Sequence, residues 1–317
     1  MMKERKMNSL KISVKTDKSG KSVIMLGDKK VTTGKALGSG LEAVVEFHYK
    51  KITGVKAPYS MIMGETKIQE SKSEQFNINQ RFDFVEKLVS MVADGVQPSA
   101  IITGEGGLGK TFTVTKTLES KGYKDISDLA DFQVGSVINA RRCFTMVKGY
   151  STPKGLYRTL FENNKSIIVF DDCDSVLKDP VALNLLKSAL DSYGKRIISW
   201  NADMKDEDLP RSFNFEGRVI FISNMDDGKI DQAIRSRSMM IDLSMTTDQK
   251  IERMETIAAS AEFLPEYDAS VKADALALIR EIKADVKEIS LRTLISVAKV
   301  RASNTDWKDL ATYMLTA

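Results

Sequence analysis

Ala100-Ile101-Ile102-Thr103-Gly104-Glu105-Gly106-Gly107-Leu108-Gly109-Lys110-Thr111-Phe112-Thr113 is the stretch on which the reading of this chain turns. A short apolar run, expected to be a buried strand, leads into residues that fit the phosphate-loop pattern G-x-x-x-x-G-K-[ST] at every fixed position. Gly104, Gly106, Gly107 and Gly109 allow backbone torsions closed to other residues, so that successive amide hydrogens can converge on one anion. A helix beginning near Lys110 adds its positive end, and Lys110 carries an ammonium to the outer phosphates. Thr111 is left to hold a magnesium ion through its hydroxyl. The competing account is a glycine-rich turn that binds nothing; the preceding strand and the complete match weigh against it.

Upstream, Phe82, Val85, Leu88, Val89 and Val92 recur at helical spacing across residues 79–93, and Asp94-Gly95 ends the run. This helix is expected to pack on the sheet and carries no chemistry. Downstream, residues 113–118 continue the helix of the loop, Ser136-Val137-Ile138-Asn139 reads as a second strand, and Arg141 and Arg142 read as a solvated pair, with a partner-facing or nucleic-acid-facing pair as the alternative. A helix with Leu156, Leu160 and Phe161 facing inward follows over residues 154–161. Ser166-Ile167-Ile168-Val169-Phe170-Asp171-Asp172 is then a strand apolar enough to be buried on both faces, as at the centre of a parallel sheet, and such sheets place ligands at the carboxyl ends of their strands. Asp171 is thereby set opposite Thr111 to share the magnesium, and Asp172 to take a proton from an attacking water.

Together these motifs resemble the AAA+ family of ring-forming ATPases. The resemblance covers about residues 76–315 and rests on further signatures in the family's order. Its members usually end the second motif in Asp-Glu, where this chain has Asp171-Asp172, a shorter reach to the water; Asp174 is in reserve. Arg218-Val219-Ile220-Phe221-Ile222-Ser223-Asn224 resembles the sensor-1 strand, and Asn224 is then expected to orient the water or touch the terminal phosphate. Ala233-Ile234-Arg235-Ser236-Arg237-Ser238 resembles the element that reaches into a neighbouring subunit, with Arg237 favoured as the finger and Arg235 second; the alternative is that both pair with acids of their own subunit. Helical patterns from Thr246-Thr247-Asp248 to Met314 resemble the family's lid, and Arg292 resembles its sensor-2 arginine.

The resemblance implies an α/β fold, a P-loop AAA+ parallel sheet flanked by helices, with a C-terminal helical lid. Residues 76–244 would be the nucleotide-binding domain, 245–317 the lid, and 1–75 a small strand-rich appendage and linker. It implies ATP and Mg2+ as cofactors, held by loop positions from Gly104 through Phe112 with Thr111 and Asp171 at the metal, and self-association into a hexameric ring or spiral. The leading expectation is an ATPase that translocates on or remodels DNA or a nucleoprotein, with a look reminiscent of phage-encoded members. The alternatives are a protein-remodelling or assembly chaperone and a slow ATP-gated assembly switch.

Between residues 195 and 217, Ile197, Ile198, Trp200, Phe213 and Phe215 lie among basic and polar residues just before the sensor-1 strand. One account is a hairpin, since in some AAA+ helicases an insertion here enters the pore and stacks on bases; the preferred account is a strand of the sheet with its apolar side buried. The first 35 residues are basic, Val23-Ile24-Met25-Leu26 with Gly27-Asp28 suggests a hairpin, residues 43–49 suggest another strand, and residues 61–75 read as a linker. This appendage either touches nucleic acid or a partner subunit or is a solvated arm. The net charge of +4 permits nucleic-acid contact without demanding it. Cys143 and Cys173 read as reduced packing residues, and two cysteines with the single histidine, His48, build no metal site. No apolar run is long enough to cross a bilayer, so no membrane partner and a cytoplasmic location, that of a host if the source is viral, are expected.

Overall fold

The computed structural model describes the strands between residues 12 and 34 and, apart from 128–141, 193 and 202–208, residues 76–317. Two compact units divide between Gln75 and Phe76. In the first, β1 (Ile12–Thr16), β2 (Ser22–Leu26) and β3 (Lys29–Gly34) form an antiparallel sheet in that order, with a register shift at Ile24/Met25. The expected hairpin is therefore β2–β3. The expected strand at 43–49 and the linker at 61–75 lie outside the described residues.

The second unit is an α/β body. Its sheet is formed by β4 (Ser99–Thr103), β5 (Lys124–Asp125), β6 (Cys143–Lys148), β7 (Ile167–Asp171), β10 (Arg218–Ile222) and β11 (Met239–Asp242), and each neighbouring pair in the order β11-β4-β10-β7-β6-β5 is parallel. Successive side chains of a strand point to opposite faces, and here both faces are covered. Ile101, Ile168, Val219 and Phe221 join one apolar cluster with α3 (Pro153–Glu162) and α4 (Pro180–Ala189). Ile102, Val169, Ile220 and Ile222 join the other, with α1 (Ile78–Ala93) and α2 (Lys110–Ser120). This division is why the central strands are apolar at nearly every position.

α1 starts where Asn77 and Gln80 form a reciprocal capping box, and buries Phe82, Val85 and Val89 against the sheet. Truncating Phe82 to alanine is expected to cost about 3–5 kcal/mol through lost burial and the cavity left behind. The helix read at 154–161 is α3, which begins one residue earlier at Pro153 behind the cap Thr152.

One expectation falls on undescribed residues and another changes. The second strand read at 136–139 lies outside the described residues, and the strand beside β7 is β6. The stretch before β10 is not a strand of the main sheet: β8 (Ile197–Ser199) and β9 (Ser212–Asn214) make a separate antiparallel pair. Its apolar side is nonetheless buried, since Ile198 and Phe215 are enclosed and Phe213 meets the rings of Tyr157 and Phe161. Ile197 instead faces solvent, because alternation along so short a strand lets only one of the two adjacent isoleucines point inward.

After β11 come α6 (Thr247–Ala258), α7 (Ala269–Ile282), α8 (Leu291–Ser303) and α9 (Trp307–Thr316), which enclose an apolar cluster of their own. Thr246 and Gln249 form the capping box that opens α6. These helices are fastened to the body through α1. Arg81 donates to the Ser244 carbonyl at 2.9 Å, and the Arg253 guanidinium lies 3.7 Å from the centre of the Phe82 ring.

Candidate functional site

The loop leaves the buried end of β4, and α2 starts immediately behind it. Gly104, Gly107 and Gly109 have φ of 124°, 75° and 94°. At Gly104 a side chain would also come 2.8 Å from the Leu243 carbonyl carbon, and at Gly107 3.0 Å from Ser290 Cβ. Glycine is thus required at both positions by torsion and by space. Gly109 caps α2 without any side-chain hydrogen bond, so the first amides of that helix are offered to the cleft.

Lys110 is buried, and its ammonium donates to the carbonyls of Gly104 and Glu105 and, at 2.9 Å, to Asn224 Oδ1. Burial lowers its pKa; Asp172, Asp171, Glu105 and Asp174 oppose the shift in that order. The Asn224 amide then donates at 2.7 Å to Asp172 Oδ1, so one asparagine links the loop lysine to the carboxylate that follows β7. Asp172 is exposed and has φ of 52°, a conformation that aspartate and asparagine accept more readily than other side chains.

Parallel pairing sets the β7 end next to the loop. Asp171 is almost enclosed, and its Oδ1 accepts from Thr111 Oγ1 at 3.0 Å. Burial raises the pKa of Asp171, against the Thr111 hydrogen bond. Asp174, the reserve carboxylate, is engaged elsewhere, accepting at 2.6 Å from Ser223 at the end of β10.

These groups share a cleft of about 300 Å³ lined by Gly106, Gly107, Gly109, Lys110, Thr111, Phe112, Asp171, Asp172, Asn224 and Arg292. Arg292, exposed on the first turn of α8, is thus among the residues that line the cleft. Two loop positions do something else: Leu108 is in the core, and Glu105 pairs with Lys250 of α6.

The arginines of α5 (Gln232–Arg235) and its C-terminal end do not line the cleft. Arg235 pairs at 3.1 Å with Asp227 of its own chain, which is the alternative weighed for it. Arg237 donates to the Ala233 carbonyl at 3.0 Å, and its Nε has no partner among the described residues.

Three features escaped the sequence reading. The Leu291 amide donates to the Gly107 carbonyl at 2.8 Å, joining α8 to the loop across the chain. A second cavity of about 620 Å³ adjoins the cleft, shares Gly109, Phe112, Leu291 and Ile295 with it, and adds Ile257 and Phe263 as apolar walls. Lys148 closes the other side of Asp171, 3.9 Å from Oδ2. Correct placement of β6 would have revealed Lys148; the other two join residues remote in sequence and leave no periodic signal.

No family model matches the chain. The chain is 28% identical over 269 residues to the "Uncharacterized 36.7 kDa protein in nrdC-mobD intergenic region" of Enterobacteria phage T4, a match covering 78% of each protein. Among the described residues no helix is long and apolar enough to cross a membrane. Fold, cleft and comparison together establish an α/β body with a parallel sheet flanked by helices, a glycine loop facing two carboxylates, and a relative in a bacteriophage.

Proposed function

We propose that this chain is an AAA+ ATPase that binds ATP with Mg2+ between its glycine loop and α8 and hydrolyses it when a second copy completes the site. The observation that carries this reading is the pair of connections converging in one cleft, Thr111 to Asp171 and Lys110 through Asn224 to Asp172. The residues fit the ligand. The helix start has no side-chain cap, the loop has torsions for an anion nest, and the hydroxyl and carboxylate at the metal position are hard oxygen donors of the kind magnesium prefers. The adjoining apolar cavity is of a size to take the nucleoside.

Bound magnesium supplies charge neutralisation at the outer phosphates. Lys110 gives up its carbonyl acceptors for phosphate oxygens, and the amide of Asn224 is then free to orient a water. As that water attacks the terminal phosphorus, its proton passes to Asp172 and the bond to the ADP oxygen breaks. Arg292 meets the outer phosphates from α8, and Arg237 of a neighbouring copy adds a further positive charge to those of Lys110 and Arg292.

The work done with this turnover is movement along, or remodelling of, DNA or a nucleoprotein by a hexameric ring or spiral. A second reading, a slow ATP-gated assembly switch, is favoured by Asp172 itself, whose short side chain is tied to Asn224. Binding of a fluorescent ATP analogue tests the site: wild type should bind in magnesium and Lys110→Ala should not. Equal affinity in both would remove the loop from the mechanism. Salt-dependent binding to labelled single- and double-stranded DNA tests the client, and binding unaffected by salt, or none, would turn the reading toward a protein-remodelling or assembly chaperone.

A further inference from the structure

Lys148 is the last residue of β6, and pairing with β7 sets it beside Asp171 in register. Asp171 is held on both sides: Oδ1 accepts the Thr111 hydroxyl at 3.0 Å, and Oδ2 faces the Lys148 ammonium at 3.9 Å. The two lysines around this carboxylate differ in kind. Lys110 is buried within the loop, whereas the side chain of Lys148 is 65% exposed and has room to swing outward on its flexible stem.

The turn after Lys148 is open to solvent. Gly149 has φ of 85° and open space around it, and Tyr150 is 79% exposed. Beyond them Ser151 is anchored, its amide donating at 3.2 Å to Ser175 in the turn after β7. The exposed Gly149-Tyr150 turn thus hangs between two anchors on the β7 segment: a hydrogen bond at Ser151 and an ion pair at Lys148.

We propose that Lys148 is a place-holding cation for Asp171, expelled when a divalent ion takes that carboxylate, so that metal loading is passed to the Gly149-Tyr150 turn. This rests on the nucleotide-binding reading of the cleft. A divalent cation at Asp171 repels an ammonium a few ångströms away, and the exposed side chain moves into water at little cost. Lys148 is a positioning residue in this scheme and touches neither the phosphates nor the attacking water.

The test uses the full chain and a fluorescent, non-hydrolysable ATP analogue titrated with magnesium. Lys148→Met should lower the magnesium concentration for half-maximal binding about fivefold, because a competing charge is gone, while Lys148→Arg stays near wild type. Amide hydrogen exchange gives a readout that a merely structural lysine would not move. In wild type, magnesium should change exchange at residues 149–151, and in Lys148→Met the changed pattern should already be present without magnesium. An unshifted or raised magnesium requirement in Lys148→Met, or the same magnesium-induced exchange change in both proteins, overturns the proposal while leaving nucleotide binding intact. Failure of wild type to bind the analogue at any magnesium concentration removes both.

Discussion

The cleft and the α5 edge carry their cations under opposite circumstances. In the cleft nearly every polar group already has a partner on the same chain. Lys110 lies on carbonyls and Asn224, Asp171 on Thr111, and the Gly107 carbonyl on the start of α8. At the α5 edge Arg235 is neutralised by Asp227, but Arg237 has only a carbonyl for one nitrogen and nothing among the described residues for another. The first region is finished within one chain, and the second holds a forked cation with capacity left over. On the proposed reading binding and cleavage have separate requirements: one copy holds the triphosphate, while Arg237, half-buried with its Nε enclosed and without a partner among the described residues, is lent to a second copy.

The largest expected effect breaks the finished region. Lys110→Ala should weaken binding of the fluorescent ATP analogue by about a hundredfold or more, because the loop loses its charge-assisted contact to the phosphates. Next, Arg237→Ala should leave that binding within about twofold and slow turnover by about a thousandfold, the scale for a trans arginine. Arg235→Ala should do much less in a steady-state phosphate-release assay, since its guanidinium is already committed to Asp227. Asp172→Asn sharpens the comparison from inside the cleft. Asparagine keeps both the left-handed torsion and a bond to Asn224 but cannot take the proton, so turnover should fall about a hundredfold or more with Tm unchanged. The smallest effect is structural: Gly107→Ala forces a β-carbon against Ser290 at φ of 75° and should cost about 1–3 kcal/mol in denaturant unfolding.

Why some of this was legible in the sequence is a matter of local cause. β4, β7 and β10 are covered on both faces, so their apolar runs are unbroken, and the carboxylates and Asn224 come at the strand ends where a ligand sits. Helix α1 announces itself by the spacing of Phe82, Val85, Leu88, Val89 and Val92, and α6 by its Thr246-Thr247-Asp248 start. β6 gives no such signal, because past Phe144 its side chains are only partly covered and Lys148 closes it. Ile197 looked as much a core residue as Ile198, and only the pairing with β9 shows which one turns out. The fastening of α8 to the loop and of Lys250 to Glu105 joins segments more than a hundred residues apart, which no local pattern encodes. The place of Arg292 at a helix start is itself local, whereas the pairing of Arg235 with Asp227 shows only in space.

Mixing two dead proteins puts the division of labour to its most direct test. Lys110→Ala keeps Arg237 but not the loop, and Arg237→Ala keeps the loop but not the arginine. Neither should hydrolyse ATP alone, and their mixture should, because one copy's arginine meets the other's intact cleft. A mixture that stays silent while both variants still assemble with wild type would contradict the claim that two chains build one working site.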